Sequence, residues 1–265
     1  MTLLQDETTG RIAEPASGPV PAVRIDSVSK RFGEGPLVLD DVSLDVAEGE
    51  FLCLLGASGC GKSTLLNLVA GLDRPSAGSV DVPGGRAALM FQEPALFPWL
   101  TAAGNVELAL RLRGVGKKER RARAQELLAL VRLQDAGKKR PHELSGGMRQ
   151  RVAMARALAQ DSHVLLMDEP FAALDAITRD VLHEELVRIR ESQSLTVVFV
   201  THNVREAVRL GDRVVLMSSR PGRVAKEYAV GIDHPRRIES PEVAALSVEI
   251  TGDLRDEIRR HGAHA

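Results

Sequence analysis

A glycine-rich segment at positions 56–63 carries the clearest chemical pattern in this sequence. It reads G-A-S-G-C-G-K-S and fits the phosphate-loop pattern G-x-x-x-x-G-K-[S/T]. An apolar strand pattern precedes it and a helix pattern follows, so the backbone N–H groups at the helix start would point at a bound phosphate. Lys62 would reach the outer phosphates, and Ser63 would offer a hydroxyl to Mg²⁺. The predicted phosphate-contacting residues are Gly56, Ser58, Gly59, Cys60, Gly61, Lys62, Ser63 and Thr64.

The two cysteines differ in their predicted behaviour. Cys60 lies inside the glycine-rich segment, close to Lys62 and a helix start, so we expect a thiol that is more reactive than usual. Cys53 lies in the apolar run before the loop and is expected to be a small buried hydrophobe. Neither has the CxxC or Cys/His spacing of a metal site.

Two acids, Asp168 and Glu169, follow the apolar run Val164–Met167. Ligands of open α/β sheets bind at the carboxyl ends of strands, where these acids are predicted to lie. Asp168 is predicted to hold Mg²⁺, and Glu169 to polarise an attacking water as a general base. A surface pair of acids after a strand would show the same pattern, but the nearby phosphate loop favours catalysis.

His202 follows a further strand pattern, Leu195–Val200, through Thr201. A histidine at this strand end would reach a γ-phosphate, but a purely structural histidine would occupy the same place. The residues by themselves leave both interpretations open.

The sequence pattern also predicts the helices and strands that position these residues. Residues 1–20 are predicted to be a flexible tail, residues 94–159 a largely helical region, and residues 236–265 a linker and a terminal helix. The basic run Lys117–Arg123 is interpreted as a solvated helix face. Further strands are predicted at Val23–Val28, Leu44–Val46, Phe51–Leu55 and Ala87–Phe91, with a helix at Lys62–Ala70 and a late hairpin, 214–217 with 224–230, around Arg220, Pro221 and Gly222.

Composition and charge exclude several classes of protein. The 265 residues are 44% apolar and 27% charged, and the net charge of -1 gives no reason to expect nucleic acid as a partner. No stretch approaches the roughly 20 apolar residues that cross a bilayer. The first residues also lack the basic and apolar regions of a secretory signal. We therefore expect a cytoplasmic protein that reaches a membrane only through a partner or its surface.

The segment Leu144–Gln150, L-S-G-G-M-R-Q, closely resembles the LSGGQ signature of ABC ATPases, with Met at the usual Gln position. In that family this element faces the γ-phosphate bound to the other subunit's phosphate loop. The resemblance implies that Ser145, Gly146 and Gly147 form an anion-binding helix start for the partner's nucleotide. A serine cap with a glycine turn is the alternative.

Other landmarks of the ABC family appear in the same order along the chain. Phe32 resembles the aromatic residue that stacks on adenine, where Tyr is commoner. Gln92 resembles the Q-loop glutamine, which implies contacts with Mg²⁺ and the reacting water. Asp175 resembles the D-loop aspartate, and His202 resembles the switch histidine.

The chain is most similar to ATPase subunits of bacterial nitrate, sulfonate and taurine importers. Three stretches carry this resemblance: L-F-P-W-L-T at 96–101, D-E-P-F-A-A-L-D at 168–175 and S-S-R-P-G-R at 218–223. The family implies an α/β P-loop NTPase core, an antiparallel N-terminal β-subdomain and an inserted α-helical subdomain. We expect this ABC ATPase domain to span residues 21–235, with the helical subdomain at about 94–159.

The same resemblance implies how such a subunit works. Two copies form a homodimer around two ATP molecules, each with Mg²⁺, and bind transmembrane permease subunits at the cytoplasmic face of the inner membrane. A periplasmic solute-binding protein takes part indirectly. The aromatic segment around Trp99 would either receive the permease's coupling helix or fill the interior.

Three other classes of function are weighed against this one. A non-transport ABC ATPase that acts on DNA or ribosomes usually shows a tandem cassette or a long coiled-coil insertion, and this sequence has neither pattern. A small-molecule kinase or a GTPase is opposed by the L-S-G-G-M segment. A regulatory ATP-binding module without turnover is opposed by the presence of both Glu169 and His202.

Overall fold

The computed structural model describes residues 20–262, which form two β-sheets with helices packed around them. The predicted tail, residues 1–20, lies outside the described residues except for Val20. The strands are β1 (Val23–Arg31), β2 (Leu37–Val46), β3 (Phe51–Gly56), β4 (Ala77–Asp81), β5 (Ala87–Met90), β6 (Val164–Asp168), β7 (Thr196–Thr201), β8 (Arg213–Met217) and β9 (Val224–Ala229). The helices are α1 (Lys62–Val69), α2 (Ala102–Leu112), α3 (Lys117–Leu130), α4 (Gly146–Leu158), α5 (Ala176–Gln193), α6 (Val204–Leu210) and α7 (Pro241–Gly262). Within residues 20–262, no helix is long and apolar enough to span a membrane.

The larger sheet has six strands in the order β5-β6-β7-β3-β8-β9, and all its pairs are parallel except β8 with β9. Every residue of β3 and β7 is buried, as the continuous apolar runs predict for strands covered on both faces. The register pairs Leu55 with Thr201 and Asp168 with Val200. The carboxyl ends of β3, β6 and β7 therefore lie side by side at one edge of the sheet.

The smaller sheet is antiparallel, with the strand order β2-β1-β4, and packs on the face of the larger sheet that carries α1. The sequence pattern does not predict β4, because the residues of this strand are mostly exposed and only one is β-branched. Gly78 allows this strand to approach β1 closely. A Cβ atom there would lie 2.3 Å from the Ser27 carbonyl oxygen, and the φ of Gly78 is +79°.

Helices α2, α3 and α4 pack against one another in the region predicted to be helical. That prediction placed helix from about residue 94, but α2 begins only at Ala102, after Thr101 caps it by accepting a hydrogen bond from the Gly104 N–H at 3.0 Å. Pro94 and Pro98 disfavour helix in the intervening segment. The basic run on α3 is almost wholly exposed, as predicted for a solvated face.

Two helices that the sequence analysis did not identify, α5 and α6, follow β6 and β7. The signal for α5 was present, since Leu182, Leu186 and Ile189 recur at helical spacing and are buried. The last helix, α7, packs against α6 and buries Val243 and Ile250.

Candidate functional site

The glycine-rich segment is a loop between β3 and α1. Gly59 and Gly61 adopt φ angles of +78° and +97°, a region that side chains disfavour. A Cβ atom on Gly61 would also lie 2.6 Å from the Leu39 side chain. These two glycines therefore permit the curled backbone that a phosphate-binding loop needs before a helix start.

Lys62 lies at the first position of α1 with only 6% of its surface exposed. Its Nζ donates hydrogen bonds to the carbonyl oxygens of Gly56 at 2.8 Å and Ala57 at 3.0 Å. The ammonium group is thus held over the loop by the loop's own backbone. A phosphate bound in the loop would lie next to this charge, and Ser63 and Thr64 follow on the helix.

Cys60 is completely buried, with its Sγ 3.6 Å from Lys62 Nζ. A Cβ atom on Gly56 would come within 2.8 Å of that sulfur, which shows how tightly the loop closes over it. A thiol reagent has no direct access to a fully buried sulfur. The expectation of a reactive Cys60 is therefore wrong for this conformation of the protein.

Asp168 ends β6 next to the phosphate loop, where the Ser63 side chain is close enough to influence its carboxyl. Burial raises the pKa of the Asp168 carboxyl above its usual range, and the charge of Glu169 adds to this rise. The Ser63 hydroxyl and the Lys62 charge lower the same pKa. A divalent cation would favour the charged carboxylate, and a hydroxyl with a carboxylate is an oxygen donor set suited to Mg²⁺.

Glu169 and His202 meet at the carboxyl ends of β6 and β7. Glu169 Oε2 lies 2.8 Å from His202 Nδ1, and the Glu169 N–H donates to the Val200 carbonyl oxygen at 3.0 Å. Glu169 has a φ of +43°, a left-handed backbone conformation that directs the chain out of the strand. His202 is 62% exposed in its side chain, so it can reach a ligand in solvent while Glu169 stays oriented.

A buried polar cluster, Thr201, Glu206 and His183, lies directly behind this pair. Glu206 accepts a hydrogen bond from the Thr201 hydroxyl, and its other oxygen lies 2.6 Å from His183 Nε2. The His183 ring packs against Phe171, two residues beyond Glu169, at 5.5 Å between ring centroids. The cluster therefore connects β7, α5 and α6 behind the site. No sequence pattern predicts this cluster, because its members lie far apart along the chain.

Removal of the Glu206 carboxylate is expected to destabilise the protein. The Glu206→Ala variant leaves the Thr201 hydroxyl proton without its acceptor and His183 Nε2 without its partner, and we expect the free energy of unfolding to fall by about 3 kcal/mol. Urea unfolding followed by circular dichroism measures this loss. Glu206→Gln is the matched control, since it keeps the size and some hydrogen bonds and should lose less. Equal stability of Glu206→Ala and the wild type would contradict a structural role of the cluster.

The signature residues lie at the start of α4. Ser145 caps this helix, with its Oγ accepting from the Met148 N–H at 3.3 Å. A Cβ atom on Gly147 would lie 2.6 Å from the Thr178 methyl group on α5. The small residues here allow α4 to approach α5 closely. The Ser145 side chain is exposed. Cβ atoms on Gly146 and Gly147 would meet Leu174 and Thr178, and neither would meet the phosphate loop.

The remaining predicted site residues are all at or near the surface. Gln92 has an exposed side chain, and its carbonyl oxygen accepts from Gln150 Nε2 of α4 at 3.0 Å. Phe32 is 54% exposed, with Lys30 Nζ 4.8 Å from its ring centroid. Asp175 caps α5, and hydrogen bonds from Thr178 lower the pKa of its carboxyl.

Comparisons with known proteins identify the family. The sequence profile described as ABC transporter matches residues 39–172. The chain is 48% identical to a taurine import ATP-binding protein of Mesorhizobium japonicum, an alignment that covers 90% of this chain and 98% of that protein. It is 46% identical to an aliphatic sulfonates import ATP-binding protein of Agrobacterium fabrum, which covers 91% of this chain and 86% of the relative.

A solved structure matches the fold as well. A dimeric ATP-binding cassette, MJ0796, in a post-hydrolysis state bound to ADP and Pi, has a TM-score of 0.70 and 35% identity, covering 80% of this chain and 100% of that one. The chain therefore belongs to the ABC transporter family and is an ATP-hydrolysing, ATP-binding subunit. The predicted family, fold class and enzyme class are confirmed. The roles of individual site residues stay predictions.

Proposed function

We propose that this chain powers an importer by closing two copies around two Mg-ATP molecules and opening them after hydrolysis. The observation that carries the proposal is the 2.8 Å contact between Glu169 and His202 at the strand edge shared with the phosphate loop. Glu169 would act as the base for water, and His202 would contact the γ-phosphate. The dimeric state of the similar cassette supports a site completed by a second copy.

We assign a role to each residue of the proposed nucleotide site. Lys62 neutralises the outer phosphates, and Mg²⁺ would be held by Ser63 and Asp168, with Gln92 close to the reacting water. Phe32 would stack on adenine. The signature residues Ser145, Gly146 and Gly147, with Asp175, would face the partner's nucleotide. Mg²⁺ itself would neutralise charge on the phosphates when bound.

The surface proposed to bind the permease centres on Trp99. This side chain is 68% exposed, and its ring packs against Phe97 at 5.4 Å between centroids. Asn105 holds the segment by accepting from the Phe97 N–H at 2.8 Å, and Arg156 donates to the carbonyl oxygens of Pro94 and Ala95. A large exposed aromatic side chain on a fixed backbone is typical of an interface centre.

A separate groove of about 820 Å³ has a lining that mixes polar and apolar groups. It is bordered by Leu72 and Phe91, whose exposed fractions are 64% and 46%. Exposed apolar groups gathered in this way mark interaction sites. We propose that the permease binds the Trp99 segment and this groove, and so brings the subunit to the cytoplasmic side of the membrane.

The Trp99→Ala variant tests this part of the proposal. We expect it to weaken binding to the permease subunits by at least about tenfold, because the interface would lose an aromatic side chain. The free energy of unfolding should change by less than about 0.5 kcal/mol, since Trp99 is mostly exposed. Co-purification and urea unfolding give the two readouts. Val248→Ala on α7, an equally exposed apolar residue, is the control. If Trp99→Ala lowers the free energy of unfolding by as much as it lowers the free energy of permease binding, Trp99 stabilises the fold and does not belong to the interface.

For the transported solute, we propose a small sulfonate such as taurine, with nitrate as the competing candidate. The support comes from the two relatives named for taurine and aliphatic sulfonates. A solute-binding protein would select the molecule, so this subunit never touches it. Uptake of labelled taurine, an alkanesulfonate and nitrate into proteoliposomes of the assembled transporter decides between them. Nitrate uptake without sulfonate uptake would overturn the choice.

A further inference from the structure

The turn between β8 and β9, residues Ser218–Arg223, is fastened to the start of β2. The Gly222 N–H donates to the Val38 carbonyl oxygen at 2.9 Å, and the Asp40 N–H donates to the Gly222 carbonyl oxygen at 3.0 Å. Arg223 forms an ion pair with the Asp40 carboxylate. Ser218 closes the turn, since its Oγ accepts from the Arg223 N–H at 3.1 Å. The turn is therefore held in one place relative to β2.

The same turn lies directly against the phosphate loop. A Cβ atom on Gly222 would lie 2.1 Å from the Cys60 carbonyl oxygen, so only glycine permits this approach. The loop that would hold the phosphates and the β8–β9 turn thus share a backbone contact.

Arg220 lies two residues before Gly222 and is the one cation of this turn whose charge is not paired. Its side chain is exposed, and within residues 20–262 it has no hydrogen-bond or ion-pair partner. It lines a cavity of about 510 Å³ together with Gly59 of the phosphate loop and with Leu37 and Val38 of β2. A cavity of this size is typical of small-molecule sites, which span about 300–1,000 Å³.

The geometry points to Arg220 as a nucleotide-binding residue that contacts the ribose–α-phosphate end of ATP bound to the same chain. One wall of the cavity is the phosphate loop at Gly59, and the other is the apolar start of β2, which follows the exposed Phe32 ring. The part of a nucleotide between phosphates and base would lie between these walls. This inference rests on the proposed nucleotide site and adds a residue from outside its sequence motifs.

A guanidinium group suits this position. It stays charged at every physiological pH and donates to phosphate and hydroxyl oxygens in a fixed fork. Arg223 cannot replace it, because its charge is already matched by Asp40. Lys62 serves the outer phosphates at the opposite end of the loop. Arg220 would therefore complete the positive surroundings of the phosphate chain.

Titration with Mg-ADP, which binds without being hydrolysed, tests the inference on the full chain. Arg220→Gln should weaken binding about tenfold, the effect of losing one partly exposed charged hydrogen bond. Arg220→Lys should recover part of the affinity. The difference between wild type and Arg220→Gln should shrink between about 50 mM and about 500 mM salt, because salt screens an exposed charge. Arg237→Gln is the matched control, an exposed arginine outside this cavity with no side-chain partner in the described chain.

The outcomes separate this inference from the proposed function. If wild type binds Mg-ADP and Arg220→Gln binds equally well, Arg220 is not a nucleotide residue, although the proposed site stands. A loss that is independent of salt and not recovered by lysine would assign Arg220 a role in the turn alone and overturn the inference. Absence of wild-type binding would overturn both proposals.

Discussion

Replacement of Lys62 by alanine is expected to lower the affinity for Mg-ATP by at least about a hundredfold and to remove nearly all turnover. In the structure the ammonium group is held over the loop by the carbonyl oxygens of Gly56 and Ala57. No other basic side chain hydrogen-bonds to the phosphate loop in the described part of the chain. Without Lys62, the charge on the outer phosphates has no partner from this loop.

Isothermal titration with Mg-ATP and a phosphate-release assay measure the two losses. Lys118→Ala on the exposed side of α3 is the matched control, and it should bind and turn over like the wild type. Circular dichroism of the free Lys62→Ala variant checks that its fold is kept. Normal affinity together with normal turnover would show that the 56–63 loop does not hold the phosphates.

The Glu169→Gln variant is expected to bind Mg-ATP normally and to lose turnover by a factor of about 10² to 10⁴, the range for loss of a general base. The amide keeps the shape and the possibility of a hydrogen bond to His202, which lies 2.8 Å from the carboxylate. It cannot accept a proton from water. Because Lys62, Ser63 and Asp168 remain, ATP should stay bound between two copies and hold them together.

Light scattering after gel filtration, with and without ATP, detects that dimer. The control is Glu48→Gln, an exposed acid in the turn before β3, which should turn over normally and show no persistent dimer. A Glu169→Gln variant that stays monomeric while saturated with ATP, both alone and in the assembled transporter, would contradict the two-copy site. Undiminished turnover would show that Glu169 is not the base.

The amino-acid sequence by itself determined the parts of this protein whose physical requirements are local. The phosphate loop is one contiguous segment, in which the glycine positions and Lys62 are needed within a few residues of each other. The buried strands β3 and β7 were predicted for the same reason, since continuous apolar runs identify them. The order of short motifs was enough to indicate the family, which the comparisons then showed.

Only the tertiary structure decided which distant residues meet. Parallel pairing of β3, β6 and β7 brings the ends of three strands to one edge and so places Glu169 against His202. Cys60 is buried because the loop packs closely around its sulfur, and this burial contradicts the expected reactivity of its thiol. The Glu206–His183 cluster and the position of Arg220 beside the phosphate loop arise in the same way. Such contacts depend on strand order and on the close approach of backbones, and neither leaves a periodic trace in the sequence.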